Sequence, residues 1–195
     1  MKFRHANALL RVLRLAALAA LGAGCAAVPA SAPPPVLPLL SPAALDASHS
    51  VEQILHAAYG AGDATLQCIV EVTPQRLRVI GLSALGQRVF TLEQDADGVQ
   101  AAASAYAPAF IQPQNIVADM QLAYWPLAAL QAAAPDGVRV SEPRSGLRRL
   151  ERNDRLIAEV HFADADPWNG RLWLVNFEHG YSLDIRSQPL TAVAR

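Results

Sequence analysis

Catalytic and metal-binding signatures are what this sequence of 195 residues lacks most plainly. It has no Gly-x-Ser-x-Gly elbow and no Gly-rich phosphate loop, the local devices of many hydrolases and nucleotide-binding proteins. No His-x-x-x-His or paired-cysteine spacing offers a zinc site. Cysteine is scarce, with only Cys25 and Cys68, and charged residues make up 17% of the chain. The chain therefore reads as a container rather than an enzyme, with no cofactor and no metal expected.

What is present begins with a targeting segment, Met1 to Gly24. Lys2, Arg4, Arg11 and Arg14 give a basic front, followed by the short apolar run LAALAALGAG. That run is too short to span a bilayer as a mature helix and has the layout of a secretory signal. It ends in Leu21-Gly22-Ala23-Gly24-Cys25. Small residues directly before a Cys resemble the lipobox of bacterial lipoproteins, and that resemblance implies cleavage before Cys25 and its acylation. The plainer alternative is an ordinary signal peptide with a chance Cys. With Cys25 committed to lipid, Cys68 has no partner for a disulfide within the chain, and its alternation with Leu66 and Val70 places it as a small buried apolar residue. The targeting segment takes four of the 16 basic residues and none of the 17 acidic ones, leaving a net charge of −5. A mildly acidic domain has no electrostatic reason to bind nucleic acid or an anionic membrane surface. Membrane attachment would come from the lipid.

Residues 25–47 form a lipidated Cys and a tether. Pro29, Pro33, Pro34, Pro35, Pro38 and Pro42 make it extended and unable to pack into a core. A single domain, residues 48–195, follows. Its pattern is set by Leu77 to Gly98, where Leu77, Val79 and Gly81 alternate with Arg76, Arg78 and Ile80, and Val89 and Thr91 alternate with Phe90 and Leu92. This is a half-buried antiparallel hairpin with Gly81, Gly86 and Gly98 at bends. Val51 to Tyr59 fits a helical face or a strand face, and the Gly-rich turn after it favours strand. Thr65 to Thr73 and Val99 to Ala103 complete a five-stranded meander. Two short helices follow, one from Gln114 with Ile116, Val117, Met120 and Tyr124 on one side, the other over 127–134 after Pro126. Five more strands are predicted over 138–141, 147–151, 155–162, 171–177 and 181–187, with Asn153-Asp154 as a hairpin turn. Both faces of 171–177 are apolar, which predicts cover on both sides.

Two polar groups deserve weighing. His161, Asp164 and Asp166 could hold a divalent ion, but acidic loops are common and no further ligand completes the set. Glu178, His179, Tyr181 and Asp184 could form an acid–base set only if the turn folded Glu178 and His179 together, because neighbours on a strand point to opposite faces.

Some stretches resemble known families. Gly81-Leu82-Ser83-Ala84-Leu85-Gly86-Gln87-Arg88 is similar to a bend in LolB, the outer-membrane lipoprotein receptor, and in its periplasmic partner LolA, with Ala84 where Pro is frequent. Gly170-Arg171-Leu172-Trp173-Leu174 and Tyr181-Ser182-Leu183-Asp184-Ile185 fit the same layout. Leu85-Gly86-Gln87-Arg88 with Phe90-Thr91-Leu92, Gln121-Leu122 with Trp125-Pro126, and Phe177-Glu178-His179-Gly180-Tyr181 resemble a family of uncharacterised bacterial lipoproteins, a domain of unknown function encoded beside aryl polyene genes. The likeness covers about residues 50 to 190. It implies an α+β, mainly β fold: a curved antiparallel sheet or half-barrel of about ten strands, with a two-helix lid over an apolar cavity. In LolA and LolB such a cavity receives acyl chains, and LolB also carries a protruding loop with an exposed Leu. Ala26 after Cys25 is not the Asp that retains enteric lipoproteins at the inner membrane, so an outer-membrane, periplasmic location is expected.

The expected function is thus binding of a hydrophobic, acyl-like ligand in lipid, lipoprotein or polyene-lipid transfer, with a protein partner in lipid export. Phe90, Met120, Trp125, Leu127 and Trp173 are the expected cavity lining. The alternative is a scaffold lipoprotein with a filled core that docks a protein partner, and a third reading is a hydrolase using His161 or His179.

Overall fold

A computed structural model describes residues 35–104, 107 and 112–190. The targeting segment, Cys25 and the first part of the tether lie outside the described residues. The fold is mainly β: one antiparallel sheet of ten strands, not closed, with two helices. The first five strands are β1 (His49–Tyr59), β2 (Gly62–Thr73), β3 (Arg76–Leu82), β4 (Arg88–Asp95) and β5 (Gly98–Ala103). Two helices follow, α1 (Pro113–Tyr124) and α2 (Leu127–Ala133). The last five strands are β6 (Val138–Arg144), β7 (Leu147–Arg152), β8 (Arg155–Phe162), β9 (Arg171–Asn176) and β10 (Tyr181–Pro189).

The strand order is β5-β4-β3-β2-β1-β10-β9-β8-β7-β6. Each half is a meander, and the first and last strands join them, with Val51 paired to Pro189 and Tyr59 to Tyr181. The helices connect β5 to β6, the two outer edges. The connection must therefore cross one face of the sheet, and that face becomes the core side.

Pairing on both sides settles β1 as a strand. Its inward residues Val51, Gln53 and Ala57 are buried, as are Leu66, Cys68, Val70 and Val72 of β2. Both central residues of the β7–β8 turn, Asn153 and Asp154, have positive φ, as the tight two-residue hairpin turn requires. Each helix ends one residue short of a proline. Trp125 precedes Pro126 and Ala134 precedes Pro135, and both adopt extended backbone, because the proline ring disfavours helical geometry in the residue before it.

Three expectations need correction. Gly81 is not at a bend: it lies within β3 opposite Phe90, and a bulge between Gly81 and Leu82 turns both Val89 and Phe90 inward. The tether packs over its described part. Leu37 is buried, and Val36, Leu39 and Leu40 lie against the core. Proline forbids a helix there but not apolar contact, and the exposed backbone is met by side chains: Leu40 donates to Gln121 at 2.8 Å and accepts from Gln94 at 2.8 Å. Finally, β9 is covered on one side only. Leu172, Leu174 and Asn176 are buried, while Trp173 and the following Phe177 face outward.

Candidate functional site

The site grows from the inner face of α1. Residues 116, 119, 120, 123 and 124 recur at helical spacing, so Ile116, Asp119, Met120, Ala123 and Tyr124 share one side. They face an apolar slot whose sheet side is made by Leu55 of β1, Leu66 and Cys68 of β2, Val79 of β3, Phe90 of β4, Leu174 of β9, and Leu183 and Ile185 of β10. Six neighbouring strands contribute. Laid flat they would be about 24 Å wide, at about 4.8 Å per step, against a helix about 10 Å across. For all six to line one slot the sheet must wrap around α1.

The slot has two polar groups along α1. At the C-terminal end, Gln53 Nε2 donates to Tyr124 Oη at 2.8 Å and to Ser187 Oγ at 3.1 Å. Trp168 closes this end, stacked on His49 with ring centroids 4.2 Å apart and tilted on Tyr124 at 4.3 Å. Burial holds the Tyr124 phenol up at about 12 despite these hydrogen bonds, and it lowers the pKa of His49 although Asp166 opposes that shift. Midway along α1, the Asp119 carboxyl accepts from Tyr181 Oη through a short contact and from Asn176 Nδ2 at 3.2 Å. Asp119 is 8% exposed. Burial pushes its carboxyl up to about 6, against the lowering effect of both hydrogen bonds. Burial, with the facing carboxyl, also raises the Tyr181 phenol.

Two more contacts fasten α1. Gln121 donates to the Leu40 carbonyl at 2.7 Å and to Gln94 Oε1 at 3.1 Å. Arg148 of β7 donates from Nη1 to the carbonyls of Leu122 and Trp125, each at 2.8 Å. The last turn of α1 contains no basic residue, so Arg148 reaches across to satisfy carbonyls that the helix leaves unpaired. Glu142 Oε1 holds the same guanidinium at 2.8 and 2.9 Å.

The room left in the slot is about 60 Å3. That is enough for a few waters and well short of the roughly 300–1,000 Å3 of small-molecule sites.

The expected lining residues divide. Phe90 and Met120 line the slot. Trp125 is fully buried just past α1 and borders a different, polar groove with Glu142 and Arg148; its indole nitrogen has no hydrogen-bond partner. Leu127 begins α2 and packs against the core outside the slot. Trp173 is 36% exposed on the outer face, under the Arg171 guanidinium at 4.3 Å. Its strand carries apolar residues on both faces, so alternation could not say which face is inner. Asp119 and Tyr124 are the residues that sequence reasoning undervalued, yet the signal was there: Asp119 falls on the apolar side of the helix. Leu85 was also missed as a surface feature. It is 86% exposed at the β3–β4 bend.

The weighed polar groups are engaged elsewhere. Asp164 accepts from the Arg171 backbone, Asp166 caps the turn at Trp168, and His161 lies 3.4 Å from Glu159. Glu178 pairs with Arg152 at 2.6 Å, and Asp184 pairs with Arg171 on the outer face at 2.6 Å. Arg171 also holds the Asp184 carboxyl below its usual range. The Cys68 thiol is buried and pushed up to about 12, which makes it a packing group rather than a nucleophile.

A family model described as "Protein of unknown function (DUF3261)" matches residues 50–189. The chain belongs to the DUF3261 family. The matched span runs from the second residue of β1 to the last of β10, so the family's extent coincides with the sheet and its crossing helices. No curated protein matches the chain.

Proposed function

We propose that this DUF3261 chain binds an apolar, acyl-like chain in the slot beneath α1 and helps place it at the outer membrane, where Cys25 tethers it. The observation that carries this reading is the slot itself: one continuous apolar lining drawn from six strands and the facing helix. The similarity to LolA and LolB supports the same reading, as does the Ala26 that follows the lipobox-like Cys.

At about 60 Å3 the slot is too small for a long chain, so a guest fits only when α1 lifts. The energies are comparable. About ten buried methylenes contribute about 8 kcal/mol, while each hydrogen-bonded fastening of α1 is worth about 1 kcal/mol net, because its groups find water once exposed. Ordering the guest takes a further share. A long chain can therefore open the slot and a short one cannot.

Lipid extraction from the purified full chain, followed by mass spectrometry, tests the reading. An acyl-containing compound at near-stoichiometric amount is expected. A ligand-free protein that also fails to bind a fluorescent acyl probe with an uncharged head would contradict it.

One observation favours a second reading, a scaffold lipoprotein that docks a protein. Leu85 at 86%, Phe177 at 51% and Trp173 at 36% exposure present large apolar side chains to solvent, and such groups can anchor a docking surface. That reading requires no bound lipid, and a defined partner whose binding is lost on Leu85→Ser or Trp173→Ser.

A further inference from the structure

The slot is not uniformly greasy: an amide, Gln53, two phenols, Tyr124 and Tyr181, and one carboxyl, Asp119, are among its lining residues. Among the described residues that line it there is no Lys, Arg or His. The buried cation nearest to α1, Arg148, is spent on the carbonyls of Leu122 and Trp125 and on Glu142. Gln53 gives its amide hydrogens to Tyr124 and Ser187. An anionic head would therefore meet no cation in the slot and no spare amide donor at the Tyr124 end.

Midway along α1 the slot carries a carboxyl. Asp119 lines the slot and makes no ion pair among the described residues; its partners there are the Tyr181 hydroxyl and the Asn176 amide. A carboxylate offers about four acceptor sites, so two donors leave acceptor capacity unused. A buried carboxylate without a cation is held at a cost that a donor from a guest would reduce.

We propose that the head of the bound apolar chain is a hydrogen-bond donor, an ammonium or a hydroxyl, seated on the Asp119 carboxyl; this rests on the acyl-chain reading of the same slot. Asp119 is then the residue that sets ligand class. It rejects fatty-acid carboxylates by like charge and accepts amines and alcohols of the same chain length. Tyr181 and Asn176 hold the carboxyl in place for the incoming head.

The test is competition at pH 7.5 between a fluorescent acyl probe on the full chain and three unlabelled compounds: dodecylamine, dodecanol and dodecanoate. One charge-assisted hydrogen bond corresponds to about tenfold in affinity. The amine is expected to compete at least about tenfold better than dodecanoate, with the alcohol between them. Asp119→Asn is expected to bring the amine and dodecanoate within about threefold, with thermal unfolding showing that the variant is folded. Equal competition by all three compounds on the unmodified chain would overturn the Asp119 assignment and leave the apolar slot standing. Preference for dodecanoate would overturn it too. Binding of neither the probe nor any competitor would remove the acyl-chain reading and this inference together.

Discussion

A Cβ built on Gly81 would overlap the Phe90 ring, which lies directly across from it. Gly81 has ordinary backbone geometry, so the requirement is space: the ring that lines the slot rests on bare backbone. Gly81→Ala must push that ring into the slot and is expected to destabilise the fold by about 2 kcal/mol, an overpacking cost. In a Phe90→Ala background the same change should cost about 1 kcal/mol less. Chemical denaturation of the four proteins measures the coupling, and additive effects would refute the contact. Asp119 gives the second prediction at this scale. Its carboxyl is raised from 3.8 to about 6 by burial, so its contribution to stability is complete below pH 4 and is lost as pH rises through 6. The full swing is about 3 kcal/mol. Tyr181 faces the carboxyl, with His179 stacked on Tyr181 and Glu178 in the adjoining hollow. His49 acts in the opposite sense, because its lowered pKa removes stability as pH falls. His49 is common to the native chain and Asp119→Asn, so the difference between their melting curves isolates Asp119. That difference should change between pH 4 and 7, and a constant difference would contradict the assignment.

Elements were legible where one period ruled. β2 alternates cleanly, and α1 announced itself between Pro113 and Pro126. Val51 to Tyr59 satisfied both periods; the Gly-rich turn after it favoured strand, and pairing with β2 and β10 settled it. The slot was legible as an apolar stripe on α1, which put Met120 in place, and as the hairpin that carries Phe90. Trp125 was misassigned because the helix stops at Tyr124, which takes the next residue off its face. The tether misled for another reason: prolines excluded a helix, while the leucines between them still found the core. Arg148 had no sequence signal at all, since its role is to serve backbone carbonyls 26 and 23 residues before it in the chain. Arg148→Met keeps bulk but strips the Leu122 and Trp125 carbonyls and Glu142 of their partner. A loss of about 3 kcal/mol in unfolding free energy is expected. A change below about 1 kcal/mol would show that α1 is not held at its end by this residue.

For the whole molecule, the path from β5 to β6 decides the rest. A connection that must cross the sheet from edge to edge puts one helix against the inner face, and the sheet wraps it closely enough to leave about 60 Å3. Packing alone would account for such a helix. A slot lined almost wholly by apolar side chains, with its cover held by individually weak polar contacts, also suits a compartment that opens. Titration of a fluorescent acyl probe into the native chain and into Cys68→Ile separates these accounts. The substitution replaces a buried thiol that lines the slot with a larger β-branched side chain, at home in a strand. Saturable binding to the native chain, weakened about tenfold in Cys68→Ile with its melting temperature preserved, is the result predicted. Equal binding by both proteins, or by neither, would contradict the claim that the space under α1 receives a guest.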